Sequence, residues 1–412
     1  MDVALLWTPL VVPTVLAAAA LPRRGAAWSR YTPAVASLVT LVCGLALVAV
    51  VRSDGPLEAA AGLLRADALS AYLVAVVGAV ALTATWAGLT PRAEANPDGW
   101  FAALLCLFLG AMTLALLADN VGILWVAVEA TTIATAFLVG HRGGRHALEA
   151  AWKYVVLGSV GVAIAFLGVV LLYAATTAGG SPTLSWVRLL GSASTLDPNL
   201  VRIGAALAAL GFATKAGLAP MHSWLPDAHS QAPAAVSGLM SGVLLSVAFY
   251  AILRVKTITD AVLGPDLMRG MLVAAGLLSL LVAAALMLTQ RDYKRLLAYS
   301  SIEHMGILAL GAAVGGPIAT GAVLVHILGH GLAKAAMFVV AGRILSAFGS
   351  SRITDVRSLL ARHPRLAVPF LAGMTALLGF PPFGLFFTEV ALVLAGIQRG
   401  LGWAMAVTVL LL

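Results

Sequence analysis

Seven ionisable side chains stand inside long apolar runs of this sequence, and their types suit proton transfer. Glu129 falls within Ile123–Val139, Lys215 within Ile203–Met221 and His304 within Leu296–Leu310. His326, His330 and Lys334 lie in Ile318–Val340, and Glu389 lies in Phe380–Leu394. A charge at mid-bilayer costs about 2.5–3.5 kcal/mol on insertion scales, so such groups usually face a bundle interior or a water-filled path. Carboxylates, amines and imidazoles together can hand on a proton, because each group's charge changes when its neighbour's does. His326, His330 and Lys334 repeat at i, i+4, i+8 and so project from nearly one face of a helix. Interhelical hydrogen bonding explains any one of these histidines. It is a poor account of the whole set, with its two carboxylates and two lysines.

The elements that must position these groups follow from composition. Of 412 residues, 61% are apolar and only 10% charged, with a mean hydropathy of +1.01. A soluble domain would show about 25% charge. Apolar runs of about 20 residues, the length that crosses hydrocarbon, recur throughout, as in Ala68–Leu89, Val155–Tyr173 and Met271–Leu288. Lipid satisfies no backbone polar group, so helices or closed barrels remain, and continuous rather than alternating runs select helices. The expected fold is an all-α polytopic membrane protein of about 13–14 spans. Spans are expected near 3–21, 34–51, 68–89, 100–118, 121–140, 152–175, 202–222, 233–254, 270–289, 296–314, 317–342, 366–393 and from 401 onward. Trp403–Leu412 is too short to cross, so the C-terminus is expected to be truncated or to end within a span. The first run is too long for a signal-peptide core and has no basic residue before it, so it is expected to stay.

The formal net charge of +8 does not indicate nucleic acid, because the basic residues sit in short loops between apolar runs. Loops after odd-numbered spans hold 15 Lys and Arg (Arg23, Arg24 and Arg92 among them), against 8 after even-numbered spans, with Arg254 counted there. The positive-inside rule then places the N-terminus outside the cytoplasm, in the cell's inner membrane. Asp292-Tyr-Lys-Arg295 reads as a solvated anchor of this kind. Cys43 and Cys106 stand alone in apolar runs and read as packing residues, so neither an iron–sulfur centre nor structural zinc is expected on this chain.

Two spans are interrupted. Lys215 sits in Gly211-Phe-Ala-Thr-Lys-Ala-Gly-Leu-Ala-Pro220, and Glu389 follows Gly379-Phe-Pro-Pro-Phe-Gly384. Unwound backbone at membrane depth is tolerated only where protein buries it or it lines a cavity. Paired breaks in two halves are a sign of inverted repeats. The expected division is N-terminal helices over 1–99 and two five-helix repeats over 100–254 and 270–412, with the seventh and twelfth helices broken.

The stretch Met221-His-Ser-Trp-Leu-Pro-Asp-Ala-His-Ser-Gln-Ala-Pro233 is polar and punctuated by proline. The spacing of His222, Asp227 and His229 fits no usual zinc pattern, so a capped re-entry into the next helix with a role in proton uptake is expected. Glu149 and Lys153 form an i, i+4 pair that either tunes Glu129 or is simply interfacial.

These segments resemble the antiporter-like proton-translocating subunits of respiratory complex I, the Mrp antiporters and the membrane-bound hydrogenases. Asp119-Asn120 with Val126-Ala-Val-Glu-Ala130, Thr214-Lys-Ala-Gly217, His222 to Pro233, Asp292 to Ser301 with His304-Met-Gly306, His326 to Lys334, and Pro381-Pro-Phe-Gly384 with Glu389 carry the resemblance. It implies that Glu129 answers to Lys215, that His326, His330 and Lys334 form a central axis, and that Glu389 is the terminal residue. Many relatives have Lys or His in the middle of the eighth helix, where this chain has Ser246. That absence and the wording around His222 look most like the hydrogenase-4 or formate-hydrogenlyase type. The resemblance implies a subunit without a cofactor of its own. Iron–sulfur, nickel or quinone chemistry would belong to partner subunits, other membrane subunits and a peripheral redox arm. An Mrp-type cation/proton antiporter, with Na+ as a second cation, and an inactive scaffold are the alternatives.

Overall fold

Apolar sequence without polar alternation folds here into helices that satisfy their own backbone. The structure is a computed structural model that describes residues 2–21, 28–87, 99–177, 180 and 182–412. Arg23, Arg24, Arg92 and the expected end of the third span lie outside the described residues.

The chain begins with α1 (Asp2–Ala20), α2 (Thr32–Asp54), α3 (Ala68–Ala87), α4 (Gly99–Leu117), α5 (Val121–Val139) and α6 (Arg145–Thr177). A short α7 (Trp186–Gly191) precedes α8 (Pro198–Lys215), α9 (Trp224–Gln231) and α10 (Ala234–Leu239). A π-helical turn, Met240–Leu244, joins α10 to α11 (Leu245–Leu263), followed by α12 (Asp266–Met287), α13 (Tyr293–Val314) and α14 (Gly316–Phe348). The last elements are α15 (Leu359–Arg362), α16 (Pro364–Leu377), α17 (Gly384–Gln398) and α18 (Gly402–Leu411). Among the described residues, ten helical segments are long and apolar enough to cross a membrane. A two-stranded hairpin, Leu57–Ala59 against Leu64–Ala66 with Leu57 opposite Ala66, occupies what composition marks only as a loop.

Both expected interruptions are present. The seventh span divides into α8 and α9, and the twelfth into α16 and α17. Freed backbone groups at the first break find protein partners, as burial at membrane depth requires. The Ala219 amide donates to Ser279 Oγ of α12 at 2.9 Å, and Trp224 Nε1 donates to the Thr214 carbonyl at 2.9 Å. At the second break Gly379 adopts φ +63°, and a Cβ there would collide with the Glu389 carboxylate. The positive φ favours glycine there, and any larger residue would also displace the Glu389 carboxylate.

Helix caps explain two of the polar motifs. Asn120 Oδ1 accepts from the amides of Gly122 and Ile123 at the start of α5. Asp292 Oδ1 accepts from those of Lys294 and Arg295 at the start of α13. Both satisfy donors that a helix leaves open.

Two basic residues are not where the loop count placed them. Lys294, expected in a solvated anchor, is fully buried and donates to the Ala232 carbonyl at 3.0 Å. Arg254, counted in a loop, is buried within α11 and forms a two-pronged ion pair with Asp67 at 2.7 and 2.8 Å. Its guanidinium stacks 4.0 Å from the Trp186 ring and 4.7 Å from that of Tyr250. Burial opposes ionisation of Asp67, but the Arg254 fork and the Ser70 donors outweigh it and hold the carboxyl below its usual range. Both helices run past the expected boundaries because these partners satisfy the charges inside protein. Removing one residue from each side of the count leaves the loop bias at 14 against 7.

Candidate functional site

Small residues bring the first group together. The α6 and α8 backbones cross closely, so that a Cβ added to Gly204 would lie 3.0 Å from the Gly168 carbonyl oxygen. Such approach is the usual way membrane helices gain contact without hydrophobic drive. It sets Lys215, the last residue of α8, against Tyr154 of α6 and Thr132 of α5.

Lys215 is fully buried, and its Nζ donates to Thr132 Oγ1 at 2.9 Å and to Tyr154 Oη at 2.7 Å. The amine also lies 4.5 Å from the Tyr154 ring centre and 5.8 Å from that of Trp224. Thr132 Oγ1 donates to Glu129 Oε2 at 3.2 Å, and Ser159 Oγ donates to Glu129 Oε1 at 3.0 Å. Glu129 and Lys215 thus meet through the Thr132 hydroxyl, with no direct ion pair among the described residues. The hydroxyl accepts from the amine while donating to the carboxylate, so it can pass a proton in one concerted step. A side branch exists, since Tyr154 Oη lies 2.6 Å from Thr135 Oγ1, which in turn donates to the Thr131 carbonyl.

The second group lies between α13, α14 and α17. Lys334 is fully buried, with Nζ donating to the Leu297 carbonyl at 2.7 Å and to Ser300 Oγ. His304 Nδ1 lies 3.0 Å from His326 Nε2, and His326 Nδ1 lies 2.8 Å from Thr388 Oγ1. Thr388 donates onward to the Leu385 carbonyl at 2.7 Å. That last bond sets the tautomers. With the Thr388 proton committed to Leu385, His326 donates through Nδ1, and His304 donates through its own Nδ1 to His326 Nε2. His304 Nε2 is left as an acceptor without a partner of hydrogen-bond geometry, with the Leu377 carbonyl at the end of α16 as its neighbour. Uptake of a proton at His304 Nε2 with loss of one from Thr388 moves each shared proton one position along, and the Thr388 hydroxyl then donates to His326 Nδ1 in place of the Leu385 carbonyl.

The two groups are bridged by a residue of the polar loop motif. His229 is fully buried, its ring meeting Trp224 edge-on at 6.1 Å and Phe338 of α14 at 5.8 Å. It stands between the aromatic wall of Lys215 and His330, whose ring centre is 4.8 Å from that of His304. Both ring nitrogens of His229 and of His330 lack protein partners, as does the buried Ser246 Oγ. Ser241 of the π-helical turn adds a hydrogen bond to Ser301 of α13 at 2.7 Å. Among the described residues this is the one π-helical segment, a feature common at functional sites.

Of the remaining expected residues, Asp227 is committed to ion pairs with Lys153 and Arg295, each at 3.1 Å, and Lys153 also holds Glu149 at 2.7 Å. His222 is half-buried with Nδ1 unpartnered, and His222, Asp227 and His229 do not converge on a common point. Glu149 and Lys153 therefore tie α6 to α9 rather than touch Glu129.

One residue is absent from the sequence expectations. Glu303 stands beside His304 on α13, close enough to Lys334 and Glu389 to feel their charges. It borders a cleft of about 340 Å3 together with Ser300. An acidic residue within Leu296–Leu310 was a readable signal, obscured by the histidine next to it. The hydroxyls of Thr132, Tyr154, Ser300 and Thr388 were not readable, because such residues are common in membrane helices.

Known proteins resemble this chain in sequence and in fold. A family described as NADH:quinone oxidoreductase/Mrp antiporter, transmembrane, matches residues 118–412. The chain is 41% identical over 293 residues to the hydrogenase-4 component F homolog of Methylacidiphilum infernorum, covering 70% of this chain and 61% of the relative. Its fold matches a chain of the membrane-bound sulfane sulfur reductase, an archaeal respiratory complex, at a TM-score of 0.90 and 25% identity, covering 100% of this chain and 84% of that one. It also matches a chain of the Mrp complex from Dietzia sp. DQ12-45-1b at 0.88 and 25% identity, with 100% and 77% covered. The chain spans 61% and 64% of the lengths of the first two curated relatives it matches. It belongs to the NADH:quinone oxidoreductase/Mrp antiporter family of multi-pass membrane proteins.

Proposed function

We propose that this member of the family translocates protons as a membrane subunit of a redox-driven complex of the complex I or group 4 hydrogenase type. The observation that supports it most is a hydrogen-bond chain from Lys215 through Thr132 to Glu129, with a second chain through His304, His326 and Thr388 that passes within 4.8 Å of the Glu389 carboxylate. In the first, Lys215 gives a proton to Thr132 as Thr132 gives its own to Glu129. In the second, a proton taken up at His304 Nε2 drives one transfer to His326 and one to Thr388, and the proton that Thr388 gives up would pass to nearby Glu389 for release. His229, His330 and water about Ser246 would join the halves, with Lys334 and Glu303 setting the charge on the second. Buried lysines and imidazoles beside part-buried carboxylates favour such transfer because each responds to its neighbour's charge.

Residues 1–99 would serve as N-terminal packing helices, with 100–254 and 270–412 as repeated five-helix units holding one broken helix each. The N-terminus would face away from the cytoplasm across the cell's inner membrane. Redox centres, whether iron–sulfur, nickel or quinone, would lie in partner subunits, reached through neighbouring membrane subunits and a peripheral arm. That the first relative is a hydrogenase component supports this choice.

The test is proton pumping by the assembled complex in inverted membrane vesicles. Lys215→Ala or Glu129→Gln should abolish pumping with assembly intact, and Glu389→Gln should block release. Undiminished pumping in assembled variants would overturn the assigned path. The likeness to a chain of an Mrp complex favours a second reading as a cation/proton antiporter. Sodium-dependent proton movement without any electron donor would select it.

A further inference from the structure

We infer that His304, His326 and Glu389 form a binding site for a divalent transition metal of the zinc class. Each offers one ligand atom, and these atoms lie within 4.8 Å of one another. Two imidazoles and one carboxylate are a nitrogen–oxygen donor set that suits Zn2+ and leaves a coordination position open. Metal-bound donors in a tetrahedral site stand about 3.3–3.6 Å apart, given bonds near 2.0–2.2 Å. The His304–His326 nitrogen pair already stands at 3.0 Å, so a metal can replace the shared proton with a small outward shift.

A second observation is independent of the ligands themselves. Metal-binding imidazoles characteristically donate their other N–H to an oxygen that fixes ring orientation. Here His326 Nδ1 meets Thr388 Oγ1 at 2.8 Å, and Thr388 is itself anchored to the Leu385 carbonyl at 2.7 Å. The orienting shell for Nε2 ligation is thus in place. Glu389 packs over Gly379, where the missing Cβ leaves room for its carboxylate beside the imidazoles. It also borders an apolar cleft formed with Ile307, Leu392 and Met405, which shields the site from competing ligands.

Occupancy ties together α13, α14 and α17. On the proposed path it removes the proton that moves between His304 and His326, so the metal acts as an inhibitor. The binding site rests on geometry alone, whereas the inhibition rests on the proposed relay.

The two are separated by measuring them separately. Zn2+ binding to the full chain in detergent is followed by calorimetry, with Co2+ absorption reporting ligand type. One saturable site per chain is expected, weakened at least tenfold by His326→Ala and by Glu389→Gln. Thr388→Ala keeps all three ligands and is expected to weaken binding about 10–100-fold through lost orientation. His363→Ala, at an exposed histidine, should leave binding unchanged. Equal affinity in all variants, or no saturable binding, overturns the proposal. Normal binding with proton pumping unaffected by Zn2+ would instead sink the relay and leave the metal site standing.

Discussion

The two buried lysines occupy different chemical settings, although both sit beside an interrupted helix or the elements packed against it. Around Lys215 every polar atom has a partner. Thr132, Tyr154, Thr135, Ser159 and Glu129 form a closed set of hydroxyls and one carboxylate, with aromatic faces behind the amine. Around Lys334 the amine meets one carbonyl and one serine, while neighbouring imidazoles keep unpartnered nitrogens. A fully satisfied network is rigid and specific. A network with open positions needs water and can rearrange. The contrast suggests that the Lys215 half acts as a switch between defined states, and the Lys334 half as a hydrated relay.

Four experiments break or sharpen this contrast. Largest is the removal of each amine in turn. Lys215→Ala and Lys334→Ala should each reduce proton pumping by at least ~100-fold, as two charge-assisted hydrogen bonds of about 1.5–3 kcal/mol disappear. If one loss is tolerated, the halves do not act in series.

Next come the hydroxyls. Thr132→Val cuts the hydroxyl link between Lys215 and Glu129, and a drop in pumping of about 10–100-fold is expected from one charged hydrogen bond. Ser300→Ala leaves Lys334 its Leu297 carbonyl and should lower pumping only about threefold. Equal effects would remove the distinction between the two halves.

Stability should move in opposite directions in the two halves. Tyr154→Phe breaks satisfied bonds and should cost about 0.5–1.5 kcal/mol. His330→Phe removes two unpartnered nitrogens, so the melting temperature in detergent should hold or rise while pumping falls. A destabilised His330→Phe variant would show that its nitrogens are held after all.

The smallest effect lies outside both halves. Asp67 is held below the usual carboxylate range by Arg254, so its contribution is complete above that range and is lost as pH falls through its lowered value. Stability should therefore stay level from neutral pH to about pH 4 and fall only below it. A fall beginning above about pH 5 would show that groups other than this pair set the acid limit of stability.

Much of this was legible along the chain. Apolar runs of bilayer length fixed helices, and Gly211 to Pro220 and Gly379 to Gly384 marked the two breaks, because proline and glycine act locally through missing donors and open backbone space. The i, i+4, i+8 spacing placed His326, His330 and Lys334 on one face without any partner helix being known. What the linear pattern misjudged were Lys294 and Arg254, which composition assigns to loops. Whether a charge near a helix end is solvated depends on what another segment brings to it, here the Ala232 carbonyl and Asp67.

Sequence by itself thus determined which residues can titrate and which stretches must cross the bilayer, since both follow from residue type and local period. Only the tertiary structure decided that Thr132 mediates between Glu129 and Lys215, that His229 packs between Trp224 and Phe338, and that Glu303 lies near both Lys334 and Glu389. Those relations span helices far apart in sequence, and they depend on angstrom distances set by glycine-lined crossings and by the refolding of two broken helices. The buried charges are a property of the chain; the order in which a proton could visit them is a property of the fold.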